Sequence, residues 1–433
     1  MLIEFSVANY RSIKDKQTLS MVANKGRRNK NVSTPFKTGF KAAEKLLPVA
    51  AIYGPNGSGK SNIIKAMDFV KDFVKDSAKD KSRNDKIEID PFLFVEEKPL
   101  PPCEFEIVFI QAGYLFEYGF TASKDLVQAE WLYATPLKNQ TKTRQIRQEW
   151  FVRKLVDGKL DITVNEELDG EKEVWKKSTR SNALFLSTAI SLNAEVLVPI
   201  YDWIDQSLKI IPPNTNISRS FTLQQIQESG QKDRILTFMQ SLDFSFNDIL
   251  ISEREINEAD FADAPAALKE FLLEEIIKKK DTKIIEALSQ YTVTSGSKFT
   301  LDFEEESEGT QRLFAMAGPL LSVLDHGYVL VIDEMEKSLH PHAMQAIISM
   351  FHNPNINKKN AQLIFTTHNT TVMNLLDRDQ IWLLEKTRNL ETVLTNLAEH
   401  QGNAKDIIEK HYLDGRYGAL PILDDLERLF VDG

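Results

Sequence analysis

A glycine-rich segment between two apolar runs sets the strongest limit on how this chain can fold. The segment runs from Gly54 to Ser61, directly after the apolar residues 48–53 and directly before residues 62–67, Asn-Ile-Ile-Lys-Ala-Met. This order predicts a buried strand, a tight loop and a helix, because glycine alone adopts every backbone angle that such a loop needs. Backbone N–H groups of the loop and the helix N-terminus can then converge on phosphate oxygens.

The residue types in this segment also assign individual roles. Lys60 is placed to bring its ammonium to the β- and γ-phosphates of a nucleotide, and the Ser61 hydroxyl is suited to bind Mg²⁺. We therefore expect ATP and Mg²⁺ as ligands. The candidate nucleotide contacts in this segment are Gly54, Pro55, Asn56, Gly57, Ser58, Gly59, Lys60, Ser61 and Asn62.

A second apolar run ends in two adjacent carboxylates. Residues 328–332, Tyr-Val-Leu-Val-Ile, predict a buried strand, and Asp333 and Glu334 follow it. Hydrolysis of a bound nucleotide needs a carboxylate for the metal ion and a group that orients water. Asp333 is the candidate Mg²⁺ ligand, and Glu334 is the candidate general base that polarises the attacking water.

Three further segments occur in a fixed order around these carboxylates. Ser307, Gly309 and Gln311 form an S-x-G-x-Q pattern at the start of an apolar helical run, residues 335–341 follow the carboxylates, and His368 follows a strand predicted over 362–366. In this order the sequence resembles ABC-type ATPases, with a signature motif, a D-loop and a switch histidine. The resemblance implies that Ser307, Gly309 and Gln311 of one protomer contact ATP held by another. It also implies that His368 senses the γ-phosphate in catalysis, and that residues 337–340 couple the two sites.

The N-terminal segment adds to this resemblance. Residues 9–13, Asn-Tyr-Arg-Ser-Ile, resemble the opening motif of SMC-type ATPases. The resemblance implies that Arg11 and Ser12 contact ATP; a surface arginine on an edge strand is the alternative. The expected Q-loop glutamine stays open between Gln111, Gln128 and a later position.

The predicted fold class is α/β: an ABC-type, SMC-like P-loop ATPase core with an N-terminal antiparallel β-lobe and a helical insertion lobe. We expect a β-rich N-terminal ATPase lobe over 1–190, a helical insertion over 191–297 and a C-terminal ATPase lobe over 298–433. Apolar residues at helical spacing in residues 266–277 support the insertion.

Taken whole, the sequence resembles compact bacterial ABC ATPases of the AAA-family and abortive-infection group, which act in anti-phage defence and are related to SMC-type ATPases. Residues 130–133, the block 333–341 and the tail 412–421 carry this resemblance, although the tail residues give no mechanism by themselves. It implies a homodimer or higher homo-oligomer closed around ATP, acting as sensor or regulator of a separate effector, a nuclease or toxin. The alternative is an SMC-like DNA-acting ATPase in repair or recombination; the absence of long heptad arms argues against it.

Composition and charge narrow the remaining classes. Apolar runs far shorter than about 20 residues predict no membrane span, and the start of the chain lacks a signal-peptide pattern, so we expect a cytoplasmic protein. The net charge of −10 argues against general DNA coating. The basic and aromatic residues of 138–154 could contact DNA or form a solvated hairpin with buried aromatics. Asp424 and Asp425 do not form the spaced carboxylate set of a self-contained nuclease, and the lone Cys103 is expected in the core.

Overall fold

A computed structural model describes most of the chain. The described residues are 1–25, 35–79, 82, 84–96, 100–137, 145–156, 158–212, 217–228, 230–242, 244–255, 283–401 and 407–420. The chain divides into two compact units, the first comprising 1–215, 323–337 and 344–433, and the second 216–322 and 338–343.

The strands and helices of the described residues follow the chain in this order. The strands are β1 (Leu2–Ala8), β2 (Gln17–Ser20), β3 (Phe36–Lys37), β4 (Lys45–Leu46), β5 (Val49–Tyr53), β6 (Cys103–Gln111), β7 (Tyr114–Ala122), β8 (Val127–Pro136), β9 (Gln148–Val156), β10 (Lys159–Val164), β11 (Leu208–Ile211), β12 (Asp248–Glu255), β13 (Lys283–Thr292), β14 (Lys298–Asp302), β15 (Val329–Ile332), β16 (Gln362–Thr366), β17 (Ile381–Lys386) and β18 (Thr392–Asn396). The helices are α1 (Lys60–Asp76), α2 (Lys172–Ser178), α3 (Phe185–Ser191), α4 (Val198–Asp202), α5 (Ser220–Glu228), α6 (Lys232–Gln240), α7 (Glu308–His326), α8 (Pro341–His352) and α9 (Ile408–Leu413).

The first unit contains a seven-stranded antiparallel sheet with the order β10-β9-β8-β7-β6-β1-β2. Alternation of buried and half-buried residues along β6 shows why this segment forms a strand, because side chains of period two line one face. Cys103 lies on the buried face, as expected for a core thiol. The sheet confirms the predicted antiparallel β-lobe.

An ion pair is buried where this sheet packs on α3. Glu130 on β8 and Arg153 on β9 are fully buried, with 3.8 Å between the Arg153 Nη1 and Glu130 Oε2 atoms. Glu130 also accepts hydrogen bonds from the N–H groups of Phe185 and Leu186 at the start of α3, at 2.5 and 3.0 Å. Burial raises the pKa of Glu130 and lowers that of Arg153, and each partner opposes the shift in the other.

Replacing Glu130 by alanine is therefore expected to destabilise the first unit by about 3–5 kcal/mol, because it leaves the Arg153 charge buried and uncompensated. Urea denaturation followed by tryptophan fluorescence measures the effect. Glu149→Ala, an exposed residue of the same sheet, is the control and should change the unfolding midpoint little. Equal midpoints for the two variants would contradict the prediction.

β5, the strand before the glycine-rich segment, lies inside a second sheet, with the order β11-β15-β16-β5-β17-β18. β5 pairs in parallel with β16 on one side and β17 on the other, and β16 pairs in parallel with β15. All five residues of β5 are buried, which accounts for its uninterrupted apolar sequence. Because parallel strands end at the same edge, the residues after β5, β15, β16 and β17 are brought together.

The span 191–297 differs from the expected helical lobe. β11 is an edge strand of the core sheet and pairs in parallel with β15, whereas β12 and β13 form, with β14 just beyond this span, a three-stranded antiparallel sheet in the second unit. Strands as well as helices therefore occupy this span, since periodicity alone does not assign short apolar runs. The helix expected over 266–277 lies outside the described residues.

Candidate functional site

The glycine-rich segment adopts the predicted strand-loop-helix arrangement. β5 ends at Tyr53 and α1 begins at Lys60. Gly57 and Gly59 have positive φ angles of 74° and 106°, which residues with a Cβ rarely adopt. The first N–H groups of α1 have no acceptor within the helix, so the end of the loop presents donors and a partial positive charge to an anion.

A series of hydrogen bonds connects the loop to Ser12 and Thr392. The Asn62 amide donates to the Ser12 hydroxyl at 2.7 Å, and the Ser12 and Thr392 hydroxyls are 2.7 Å apart. Thr392 donates its hydroxyl proton to the Ser58 carbonyl at 2.7 Å, so Ser12 is the donor to Thr392. A Cβ at Gly59 would collide with both hydroxyls. The loop is thus fixed by residues far apart in sequence.

Thr392→Val keeps the shape of this side chain and removes its hydroxyl. We expect the dissociation constant for ATP to rise about 5- to 10-fold, because each lost hydrogen bond is worth roughly 0.5–1.5 kcal/mol. Isothermal titration with ATP and Mg²⁺ measures the change. Thr395→Val, on the same strand, is the matched control, and an equal affinity in both variants would show that the bridge does not hold the loop.

Lys60 is buried next to the loop carbonyls. Its ammonium donates to the Gly54 carbonyl at 2.7 Å and to the Pro55 carbonyl at 3.2 Å. Burial lowers the pKa of Lys60, and the nearby carboxylates of Asp333, Glu336 and Glu334 oppose that shift. The side chain therefore places one cation beside an acidic cluster.

Asp333 follows β15 and is held by the neighbouring strand. Its Oδ1 atom accepts the Thr366 hydroxyl at 2.5 Å, and the residue is only 3% exposed. The Oδ2 atom is buried and has no hydrogen-bond partner in the described part of the chain. An unpartnered carboxylate oxygen and the Ser61 hydroxyl are the hard oxygen ligands that Mg²⁺ prefers. The chemistry of Asp333 and Ser61 therefore fits a magnesium ion.

Glu334 has an unusual backbone conformation. Its φ is 49°, and its N–H donates to the Thr366 hydroxyl at 2.7 Å. A non-glycine residue in this region is strained and is often found at functional sites. Glu334 lines a cleft of about 180 Å³ together with His368 and residues 56–62 of the loop and α1. The geometry can place a carboxylate beside water at the phosphate end of a nucleotide.

His368 follows β16 on the same edge. Its N–H donates to the Glu336 Oε1 atom at 2.6 Å. Burial, followed by the Lys60 charge, lowers the pKa of His368. The ring is therefore favoured in its neutral form, which can act as a donor and as an acceptor.

The signature residues lie in the second unit. The Ser307 hydroxyl accepts the Thr310 N–H at 3.2 Å and so caps α7. A Cβ on Gly309 would stand 2.7 Å from the Ser338 carbonyl oxygen, so this position requires glycine. The Gln311 amide donates to the carbonyls of Glu304 and Glu306 at 2.7 and 2.9 Å. These contacts shape the start of α7, and roles of Ser307, Gly309 and Gln311 toward ATP stay predictions.

The N-terminal candidates differ in position. Ser12 belongs to the chain of hydrogen bonds behind the loop, whereas Arg11 forms an ion pair with Asp90 at 2.8 Å. Gln111 ends β6 and Gln128 lies in β8, and neither lines the cleft beside the loop.

The basic and aromatic segment favours the hairpin interpretation. Trp150 is 8% exposed and Phe151 is fully buried, so neither ring is available to stack on a base. Arg147 forms a bidentate ion pair with Glu117 and lies over the Tyr133 ring. Arg153 is the buried partner of Glu130, and residues 138–144 lie outside the described residues.

Sequence reasoning missed three residues that hold the site. Thr366 orients both Asp333 and Glu334, Glu336 fixes the His368 backbone, and Thr392 supports the loop. Glu336 could have been noticed as a further carboxylate beside the pair. Thr366 and Thr392 carry no local signal, because their partners are brought together only by the sheet.

The described residues contain no group of three or more His, Cys, Asp or Glu side chains arranged to hold a metal ion. Asp424 and Asp425 lie outside them. In the same ranges, none of the helices combines the length and the apolar character that crossing a membrane requires.

Comparison with known proteins places the chain in a family. No curated protein matches it. Among solved structures, it is similar to the SMC head bound to the C-winged helix domain of ScpA, with a TM-score of 0.41 and 14% identity, covering 91% of this chain and 96% of that chain. The family described as "AAA domain, putative AbiEii toxin, Type IV TA system" matches residues 49–374, from the start of β5 to beyond His368. Because this match spans well over half of its residues, the chain belongs to that AAA-domain family.

Proposed function

We propose that this protein is an ABC-type ATPase that binds and hydrolyses ATP with Mg²⁺, closes as a dimer around the nucleotide, and regulates a separate effector in anti-phage defence. The observation that carries the ATPase assignment is the cleft at the carboxyl edge of the core sheet. Its walls are the loop residues 56–62, Glu334 and His368. The Asp333 Oδ2 atom, which has no hydrogen-bond partner among the described residues, lies at the end of β15.

Each residue at this edge has a separate role in the proposed hydrolysis. The loop N–H groups and Lys60 bind and orient the phosphates. Ser61 and Asp333 would hold Mg²⁺, and the bound ion would neutralise phosphate charge. Glu334 accepts a proton from the attacking water, and Thr366 keeps its backbone in place. His368 donates or accepts a hydrogen bond at the γ-phosphate end.

The placement of the signature residues at the start of α7 supports the proposed dimer. Ser307 caps α7, and the N-terminus of that helix carries a partial positive charge suited to a γ-phosphate. We propose that Ser307, Gly309 and Gln311 of one protomer meet ATP held by the loop of the other. ATP then becomes part of the interface, so binding closes the dimer and hydrolysis opens it.

The defence role rests on the family description, which names an AbiEii toxin and a type IV toxin–antitoxin system. A nucleotide-dependent dimer offers two states that an effector can distinguish. We propose that the effector is a separate nuclease or toxin whose activity is controlled by the closed state.

Mg²⁺-dependent ATP hydrolysis by the purified protein, with and without linear duplex DNA at low and physiological salt, tests the ATPase assignment. We expect hydrolysis that requires Mg²⁺ and does not respond to DNA. An inactive protein under all these conditions would contradict the assignment. Strong stimulation by DNA that fades with salt would instead favour the DNA-acting ATPase.

A plaque assay tests the defence role. Cells that carry the protein with its native neighbouring genes are compared with cells in which Lys60 is replaced by alanine. We expect fewer plaques only with the wild type. Equal plaque counts would show that Lys60 is not needed for defence.

A further inference from the structure

We propose that the C-terminal tail, residues 408–420, positions His368 through Glu409, and so sets the rate of hydrolysis without contacting the nucleotide. This inference rests on the proposed ATPase function and assigns a role to the tail that the sequence alone left without a mechanism.

Glu409 ties α9 to the segment that follows His368. Its Oε1 atom accepts the Thr370 hydroxyl at 3.0 Å, and its Oε2 atom accepts the Asn374 amide at 2.8 Å. Thr370 and Asn374 belong to the 3-10 turn Thr370–Leu375, whose N-terminus is capped by the Asn369 side chain. One carboxylate of the tail therefore fixes both ends of the turn that begins beside His368.

Tyr412 connects the same tail to β5, the strand before the glycine-rich loop. Its ring centre is 5.9 Å from that of Tyr53, the last residue of β5. The Tyr53 hydroxyl donates to the Asn369 carbonyl at 3.1 Å, so this aromatic pair also reaches the residue after His368. Burial raises the pKa of Tyr53 well above its ordinary value, which keeps the hydroxyl protonated as a donor.

Hydrogen bonds at Ala419 connect the tail to strand β17. The Tyr412 hydroxyl donates to the Ala419 carbonyl at 2.8 Å, and the Ala419 N–H donates to Glu385 on β17. Gly418 has a φ of 71°, and a Cβ there would collide with the Glu385 carboxylate. The positive φ angle therefore favours glycine at position 418, next to the Glu385 carboxylate.

These contacts hold His368 from two sides. Glu336 accepts its backbone N–H at 2.6 Å on the side of β15, and the tail holds the following turn. A cavity of about 750 Å³ separates the tail from the loop, and Gly54, Asn56, His368, Glu385 and Tyr412 are among its lining residues. The tail therefore reaches the site through the His368 segment, and displacement of the tail would release that segment.

The test compares Glu409→Ala with Asp414→Ala, which removes an exposed carboxylate from the same tail. We expect Glu409→Ala to lower kcat about 10-fold, since small displacements of reacting groups cost one to two orders of magnitude, and to leave KM for ATP unchanged. Glu409→Gln, which keeps one acceptor, should recover part of the loss. Asp414→Ala should match the wild type.

A double-mutant cycle with His368→Ala separates positioning from general stability. If Glu409 acts through His368, Glu409→Ala has no further effect on kcat in the His368→Ala background. An undiminished 10-fold loss in that background, or no loss in the single variant, would overturn the proposal.

Amide hydrogen exchange of the peptide that contains His368 and Asn374 gives a readout without catalysis. We expect faster exchange in Glu409→Ala than in Asp414→Ala, and equal exchange would overturn the proposal even if the protein did not hydrolyse ATP. Wild-type inactivity would contradict only the proposed function. Tyr412→Phe, which removes the hydroxyl bond to Ala419, provides a milder variant if Glu409→Ala fails to fold, and should speed exchange in the same peptide.

Discussion

Glu334→Gln is expected to lower the rate of ATP hydrolysis by about 10²–10⁴-fold, the range typical of a lost general base, while ATP still binds. The amide keeps the size of the side chain but cannot accept a proton from water. The backbone at Glu334 is fixed by its N–H bond to Thr366, so the substitution should leave the geometry of the cleft intact. Phosphate release under saturating ATP and Mg²⁺ measures the rate, and titration calorimetry measures the affinity.

Glu399→Gln is the matched control, because Glu399 is an exposed carboxylate of the same unit. It should hydrolyse ATP at the wild-type rate. The Glu334→Gln protein should also accumulate as a dimer in the presence of ATP, since binding proceeds and the opening step is blocked. Light scattering after size-exclusion chromatography detects that dimer. Hydrolysis at the wild-type rate by Glu334→Gln would remove Glu334 from its proposed role.

The parts of the site that could be predicted from sequence are those whose functional residues lie next to one another in the chain. The boundaries of β5, the start of α1 at Lys60 and the strand before His368 agree with expectation. Each combines an apolar run with a distinctive polar segment, so local pattern and global fold point to the same structure. Asp333 and Glu334 follow the same logic, because a buried strand ends immediately before them.

The parts that sequence did not predict depend on tertiary contacts. Thr392 lies far along the chain from Ser12 and Ser58, and its role arises only because β18 and the phosphate loop meet near one edge. Glu409 is one of many charged residues, and only the fold brings it to Thr370 and Asn374. Likewise, β11 is short enough that its apolar residues match a helix and a strand equally well.

Lys60 lies near three acidic residues, and we expect its charge to influence nucleotide affinity. The carboxylates of Asp333, Glu334 and Glu336 oppose the lowering of the Lys60 pKa by burial. The Thr366 hydroxyl holds the Asp333 carboxylate and the Glu334 backbone N–H, and the His368 backbone N–H donates to the Glu336 carboxylate. Within this arrangement Lys60 supplies a cation that compensates neighbouring carboxylates. The phosphates of a bound ATP would add further negative charge at the same place, so we expect ATP affinity to depend on the Lys60 ammonium.

Lys60→Ala is therefore expected to weaken ATP binding by about 10- to 150-fold, the effect of losing roughly 1.5–3 kcal/mol of charge-assisted hydrogen bonding. The variant removes the one positively charged side chain of residues 54–61, whereas Glu334→Gln leaves that charge in place. Titration calorimetry with ATP and Mg²⁺ measures the dissociation constant.

Lys65→Ala, also on α1, is the control for the loss of one positive charge from the helix. Lys65 is half-buried and does not line the cleft beside the loop, so this variant should bind ATP with nearly wild-type affinity. The ammonium of Lys60 is instead fixed by the Gly54 carbonyl at the start of the loop. A dissociation constant that changes equally in both variants would mean that net charge, and not the position of Lys60, governs affinity. Weak binding by Lys60→Ala together with normal binding and slow turnover by Glu334→Gln would separate the residue that captures the phosphates from the residue that activates water.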